Sequence, residues 1–231
     1  CQAVQRRIRD GQPPGSILLL TYGRLAAREL RTRLTTGDGP VPVATTFHAL
    51  ALRLVQAHDP HIRLMGSPEQ ETVLRDILRT SRHLPAQLEA ARHSRGLTEE
   101  MRGFISGAQA RAASPGEVVA DEPLTSGAAG VYAEYLDILG LAGTVDYAEL
   151  IARATDVARW HAPRAVRELR TIYVDEYQDT DPAQIVLLRE LAAHGAQVVA
   201  VGDPDQAIYG FRGADADGIL RFEEAFGLPS C

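Results

Sequence analysis

Four short apolar runs, each followed by a polar or glycine-containing turn and then a helical pattern, constrain the fold of this chain most. They occupy residues 17–20, 41–44, 171–174 and 198–201. Apolar runs of this length between turns are typical of strands that are buried on both faces. Strands that alternate with helices pair in parallel and are covered by helices on both sides. The pattern therefore predicts an α/β fold built on a parallel sheet.

The segment between the second and third runs has a different character. It contains no convincing strand pattern, and it holds two helix-start signals, at Ser67 and Asp146, each followed three residues later by Gln or Glu. Residues 113–130 are rich in Ser, Pro, Gly and Ala, which predicts an exposed loop. A third start signal, at Asp181, lies after the third run. We expect residues 66–167 to form a helical insertion.

Composition restricts the classes of function. The net charge is −6, which argues against a protein that coats nucleic acid through bulk charge but leaves room for a local basic groove. All 24 basic residues are arginine, so no lysine-dependent chemistry is possible in these residues. The two cysteines, Cys1 and Cys231, form neither a disulfide framework nor a metal site. With no signal-peptide pattern and no long apolar run, we expect a cytoplasmic protein without a membrane span.

An adjacent pair of carboxylates follows the third apolar run, in the string IYVDEYQDT at residues 172–180. Ligands of parallel α/β sheets bind beyond the carboxyl ends of the strands. Asp175 at such a strand end can hold Mg²⁺ through oxygen, and Glu176 can orient and deprotonate an attacking water. The string therefore predicts a nucleotide-hydrolysing site.

A second polar string, VGDPDQAIYGFRGA at residues 201–214, follows the fourth run. Gln206 can hydrogen-bond a terminal phosphate or the attacking water. Tyr209, Phe211 and Arg212 then bring two rings and a cation together, and rings stack on splayed nucleic-acid bases. The arrangement predicts a link between the nucleotide and a single strand.

These two strings resemble motifs II and III of the UvrD/Rep/PcrA group of superfamily 1 DNA helicases. Residues 20–30 and 45–50 resemble the same family's motifs Ia and Ib, although Arg24 and Leu25 stand where the family has Asn and Lys, and Phe211 where it has Trp. The resemblance implies contacts with single-stranded DNA at the following residues: Thr21, Tyr22, Thr46, Phe47, His48, Tyr209, Phe211 and Arg212.

The resemblance also implies a fold and partners. Residues 1–65 and 168–231 would form part of a RecA-like P-loop NTPase domain (1A), and residues 66–167 its helical 1B subdomain. ATP and Mg²⁺ would bind between domain 1A and a second RecA-like domain, with Asp175 and Gln206 on the nucleotide and DNA at a single-strand/duplex junction as substrate. Residues 68–71 and 146–150, together with the Arg-rich and lysine-free composition, most resemble actinobacterial RecB-like members of the AdnAB type. This resemblance implies a possible partner helicase–nuclease subunit.

The family's Walker A loop, with its Gly-Lys-Thr, has no counterpart in these 231 residues and is expected upstream of Cys1. We therefore expect an ATP-dependent 3′-to-5′ DNA helicase in the full-length protein, acting in repair or recombination, and no ATPase activity from these residues alone.

Two other readings stay open at this point. One is a DNA-binding scaffold derived from such a motor that no longer hydrolyses ATP, and retention of Asp175, Glu176 and Gln206 argues against it. The other is a different P-loop ATPase, such as a transporter subunit, in which the aromatic residues after Gln206 would have no role. An intact or degraded Walker A loop would discriminate between motor and scaffold.

Overall fold

The computed structural model describes residues 1–35, 40–118, 123–206, 219 and 222–226. Helices and strands alternate along most of this length. The strands are β1 (Ile17–Thr21), β2 (Val43–Thr46), β3 (Arg63–Leu64), β4 (Thr144–Val145), β5 (Thr171–Val174) and β6 (Gln197–Ala200). The helices are α1 (Gln2–Arg9), α2 (Arg24–Leu34), α3 (Phe47–His58), α4 (Ser67–Thr80), α5 (Arg95–Ala110), α6 (Pro123–Leu141), α7 (Tyr147–Trp160), α8 (Arg164–Arg167), α9 (Pro182–Ala192) and α10 (Phe222–Phe226).

Four strands form one parallel sheet in the order β2-β1-β5-β6. This confirms the predicted α/β class and its parallel sheet. Strand β5 has the predicted bounds and β1 extends one residue further. Strands β2 and β6 are shifted by two residues and one residue from the predicted runs.

Side chains of the inner strand β1 alternate between two apolar layers, because successive residues of a strand point to opposite faces. Leu18 and Leu20 belong to a core with α3, α7 and α9. Ile17 and Leu19 belong to a core with α1 and α2 on the other face. The sheet is therefore covered on both sides, as the apolar runs predict.

Helices α4, α5 and α6 form a separate apolar cluster around Tyr135 and Leu78. Helix α7 lies inside the predicted helical segment 66–167, but it packs on the sheet through α3 and α9. The packing thus favours a shorter helical subdomain made of α4–α6, and the division of the chain at residues 66 and 167 stays a prediction.

One strand lies in the segment where none was predicted. Strand β4 pairs in parallel with β3, and together they form a separate two-stranded sheet. A two-residue strand carries too little periodicity for a sequence signal. The strand does not join the main sheet, as the predicted helical insertion requires.

The helix-start signals have mixed outcomes. Asp146 accepts hydrogen bonds from the backbone N–H groups of Ala148 and Glu149, and Asp181 accepts one from Gln184, so both caps are confirmed. The prediction at Ser67 is wrong, because Gly66 is the N-cap residue and no side chain caps α4.

The loop predicted over residues 113–130 is wrong in its second part, since α6 begins at Pro123. Two glycines in this helix are explained by close packing rather than by a turn. A Cβ atom at Gly127 would lie 2.6 Å from the His83 carbonyl oxygen, and one at Gly130 would lie 2.7 Å from the His83 Cβ. The described residues contain no helix long and apolar enough to cross a membrane.

Gly130→Ala should lower the free energy of unfolding by about 1–3 kcal/mol, the usual cost of forcing extra volume into a packed contact. Gly140→Ala is the matched control, because Gly140 lies on the same helix with no atom within 4 Å of an added Cβ. The control should be neutral or up to about 1 kcal/mol more stable through helix propensity. Denaturant titration of both variants measures the difference, and equal stabilities would contradict the packing role of Gly130.

Candidate functional site

The carboxyl ends of the four parallel strands meet at one edge of the sheet. Thr21 and Thr46, the last residues of β1 and β2, are paired in register. The backbone N–H of Asp175 donates to the Leu20 carbonyl at 2.9 Å, directly beyond β5. The sheet therefore brings predicted residues from distant parts of the sequence to a single edge.

Asp175 is partly buried at the end of β5. Burial raises the pKa of its carboxyl above the usual range, and the neighbouring Glu176 charge raises it further. Both effects disfavour the anion, and a nearby cation would reverse them. The oxygen donor and its electrostatic setting therefore fit a divalent ion such as Mg²⁺. Within the described part of the chain, no cluster of three or more His, Cys, Asp or Glu side chains could hold a metal alone.

Glu176 has an unusual backbone conformation. Its φ of 55° and ψ of 47° lie in the left-handed region, which costs a residue with a Cβ about 1–2 kcal/mol. Such strain persists only where the surroundings enforce it, and it concentrates at functional sites. The turn begins the short 3₁₀ helix Tyr177–Asp179 and leaves the Glu176 side chain exposed at the sheet edge.

Gln206 ends a short 3₁₀ helix in the loop after β6. Its side-chain amide donates to the Asp203 carboxylate at 2.6 Å, and its side chain is exposed. The predicted residues Tyr209, Phe211 and Arg212 lie outside the described residues.

Sequence reasoning missed Gln178, which connects the two strings. Its amide Nε2 donates to Glu176 Oε2 at 2.8 Å, and its Oε1 accepts from the backbone N–H of Asp203 at 3.0 Å. Only 1% of Gln178 is exposed. The only sequence signal for it is a glutamine two residues after the carboxylate pair. Its second partner lies 25 residues further along the chain, which the sequence does not indicate.

A groove of about 1260 Å³ opens beside the ends of β1 and β2. One wall carries Thr21, Tyr22, Thr46 and His48, so most of the residues predicted from motifs Ia and Ib line it together. Residues of helix α5 and of the start of α7 also line the groove. The volume and the mixture of aromatic, polar and charged side chains in the lining fit an extended ligand better than a small one.

Two predicted residues of this wall have structural roles. Phe47 is only 4% exposed and belongs to the core beneath the sheet. Thr46 caps α3 by accepting a hydrogen bond from the Ala49 N–H at 3.2 Å. Sequence reasoning did not single out Tyr147, although it is 46% exposed in the groove with its ring edge-on to His48 at 5.8 Å between centroids.

Charges around the groove favour an anionic ligand. Two acidic side chains also line it, Asp179 and Asp181, and burial raises the pKa of Asp181 to about 6. The carboxylate at Asp181 is therefore less firmly ionised near neutral pH than an ordinary aspartate. The groove's cationic lining consists of four arginines: Arg24, Arg31, Arg53 and Arg111.

The wall from α5 carries one polar group without a partner. Gln109 is 5% exposed, and neither its Oε1 nor its Nε2 makes a hydrogen bond to another described residue. Buried amide groups normally have partners. The α5 lining of the groove therefore includes a buried polar amide.

Glycine at position 176 should be more stable than alanine, although both variants lack the carboxylate and its bond to Gln178. The left-handed backbone is strained for alanine and relaxed for glycine, so Glu176→Gly should exceed Glu176→Ala by about 0.5–1 kcal/mol in free energy of unfolding. Denaturant titration measures the pair. If alanine were the more stable, the turn would not be left-handed in solution.

Comparison with known proteins agrees with this geometry. The family model described as the UvrD/REP helicase N-terminal domain matches residues 2–227. "DNA helicase II" of Escherichia coli (strain K12) is 34% identical over 225 residues, which cover 92% of this chain and 30% of that protein. "DNA helicase II" of Salmonella typhimurium is 33% identical over 233 residues, covering 94% and 31%.

"ATP-dependent DNA helicase PcrA" of Leuconostoc citreum is 31% identical over 229 residues, covering 92% of this chain and 29% of that protein. The chain thus spans about 30% of the length of the curated relatives it matches. The match of the family model across nearly all residues, together with these identities, means that the chain belongs to the UvrD/REP helicase family, in its N-terminal domain.

Proposed function

We propose that this chain is the N-terminal part of an ATP-dependent DNA motor that moves 3′ to 5′ along single-stranded DNA in repair or recombination. Residues 1–65 and 168–231 would be its RecA-like domain, and the helical segment within 66–167 its 1B subdomain. The direction of movement comes from the resemblance to the family, and a second RecA-like domain would complete the nucleotide site.

One observation carries the proposal. The carboxylates of Asp175 and Glu176 and the arginine-lined groove lie at the same carboxyl edge of one parallel sheet. A motor that couples ATP hydrolysis to movement along a strand needs both sites on one rigid element, because a structural change at one site must alter the other. The PcrA relative is named an ATP-dependent DNA helicase, which supports the same function.

The hydrolytic roles follow from the residues at the strand ends. Asp175 would hold Mg²⁺, which supplies charge neutralisation at the phosphates when bound. Glu176, exposed and held by Gln178, would orient and deprotonate the water. Gln206, in the loop after β6, would hydrogen-bond the terminal phosphate. These assignments give each polar side chain of the edge a distinct task.

DNA would lie in the groove. Its phosphates would meet the arginines of the lining, and bases would stack on the half-buried ring of Tyr22 and the exposed ring of Tyr147. Tyr209, Phe211 and Arg212, which follow Gln206 in the sequence, would contact the same strand. A partner helicase–nuclease subunit and a duplex junction as substrate are further parts of this proposal.

The alternative is a scaffold subunit that binds DNA without hydrolysis. The strained Glu176 backbone weighs against it, since a protein without hydrolysis has no need to maintain a left-handed glutamate. The two functions differ in one measurement, DNA-stimulated ATP turnover by the full-length protein.

Glu176→Gln in the full-length protein should retain ATP binding and lower kcat by about two to four orders of magnitude, the loss expected for removal of a general base. Glutamine keeps the size of the side chain and removes only its basicity. Steady-state hydrolysis and nucleotide-binding assays give the two quantities. Wild-type turnover in this variant would mean that another group activates the water.

Tyr147→Ala should weaken single-stranded DNA binding by about 1–3 kcal/mol, the value of one stacked base, with little change in stability. Phe47→Ala is the contrasting variant, because its ring is buried in the core. It should lower the free energy of unfolding by about 3–5 kcal/mol. Fluorescence anisotropy with labelled oligonucleotides and thermal melting distinguish the two. A loss of DNA affinity confined to the Phe47 variant would contradict these assignments.

A further inference from the structure

We propose that Gln178 is a positioning residue that ties the carboxylate of Glu176 to the backbone of the loop at residues 202–206, so that the position of this loop sets the orientation of the general base. This inference rests on the proposed function, because it gives Gln178 a task only if Glu176 activates water. It goes further by naming the side chain through which the nucleotide site would be coupled to the loop.

The orientation of the Gln178 amide is fixed by the chemistry of its partners. A carboxylate only accepts hydrogen bonds and a backbone N–H only donates them. Nε2 must therefore face Glu176, at 2.8 Å, and Oε1 must face the Asp203 N–H, at 3.0 Å. The opposite flip would set acceptor against acceptor and donor against donor. Each end of the amide can therefore bond only one of these two partners.

Burial makes this bridge consequential. Gln178 is 1% exposed, so water cannot replace either partner without a rearrangement, and a buried amide that loses a partner incurs a desolvation cost. A displacement of the Asp203 backbone would therefore move the Gln178 side chain. The Glu176 carboxylate, held at its other end, would move with it.

Gly202 keeps the space for the bridge open. A Cβ atom at this position would overlap the Oε1 of Gln178 and would lie 3.1 Å from the Tyr177 backbone nitrogen. The Tyr177 N–H also donates to the Val201 carbonyl at 3.0 Å, which fixes the two chain segments side by side. The backbone of one motif and the side chain of the other thus fit together only because residue 202 is glycine.

The loop leads toward the predicted DNA contacts. Gln206 ends its short helix, and the residues predicted to stack on bases, Tyr209 and Phe211, follow next in the sequence. A strand bound by those residues would shift the preceding segment 203–206, and with it the Asp203 backbone. The bridge would convert that shift into a new orientation of Glu176, which is what stimulation of hydrolysis by DNA requires.

The test uses the full-length protein and measures ATP hydrolysis with and without single-stranded DNA. Gln178→Ala and Gln178→Glu should each lower kcat about tenfold to a hundredfold, the cost of misplacing a catalytic group by about 1 Å. The glutamate variant keeps the acceptor for Asp203, replaces the donor to Glu176 with an acceptor and adds a buried negative charge beside that carboxylate. KM for ATP should not change, because Gln178 has no place on the nucleotide.

The ratio of DNA-stimulated to basal rate separates positioning from folding. A fall in the folded fraction lowers both rates equally and leaves the ratio unchanged, whereas loss of the bridge lowers the ratio. Gln12→Leu is the matched control: it removes a partly buried glutamine that bonds Ser16 and Thr171 at the amino end of the sheet, away from the carboxyl edge that carries Glu176. This control should lower the melting temperature and leave the ratio at the wild-type value.

A double-variant cycle completes the test. Gly202→Ala alone should reproduce the Gln178→Ala defect, because the added Cβ displaces the Gln178 amide. In the Gln178→Ala background the same change should have almost no further effect. Additive effects, or an unchanged ratio in Gln178→Ala while Glu176→Gln is inactive, would overturn the inference. Normal turnover in Glu176→Gln would instead overturn the proposed function.

Discussion

The parallel pairing of β1 with β5 is the constraint on which the rest of the structure depends. It joins segments from opposite halves of the sequence, with Ile17 opposite Thr171 and Leu20 opposite Val174. Because parallel strands end at the same edge, this register sets Thr21 of the groove beside Asp175 of the acidic pair. A slip of one residue would turn the alternating leucines of β1 toward the wrong layers. The same burial that stabilises the sheet therefore fixes the distance between the two sites.

The turn after β5 shows how a rigid sheet is used to hold a strained residue. The Val174 carbonyl accepts a hydrogen bond from the Val201 N–H at 2.8 Å, and the Asp175 N–H donates to the Leu20 carbonyl. The backbone is therefore held by both neighbouring strands just before Glu176. The left-handed conformation then follows from where the chain must go, into the buried 3₁₀ helix of Tyr177. The cost of this one residue is small beside the burial of two complete apolar layers.

Local signals could be predicted from the sequence, and non-local contacts could not. The four strands of the main sheet and the caps at Asp146 and Asp181 depend on neighbours within a few residues, so local sequence patterns predict them. The sequence around Gly130 predicts a loop, whereas the glycine is required by a close contact with His83, which lies outside α6. The role of Gln178 has the same origin, since its Asp203 partner is brought near only by the pairing of β5 with β6. Sequence order predicts the candidate site, and packing determines how its parts connect.

Charge in the groove illustrates why a total is a poor guide to a binding surface. The chain carries −6 overall, yet its groove combines four arginines with two acidic side chains. Burial raises the pKa of Asp181 to about 6, so this acid opposes a bound anion less firmly than a solvated aspartate would. Asp181 also caps α9 by accepting a hydrogen bond from the Gln184 N–H at 2.8 Å, so the start of the helix fixes its place in the groove. An N-cap carboxyl can thus stabilise a helix within an anion-binding groove, because a protonated carboxyl still accepts a hydrogen bond from the helix backbone.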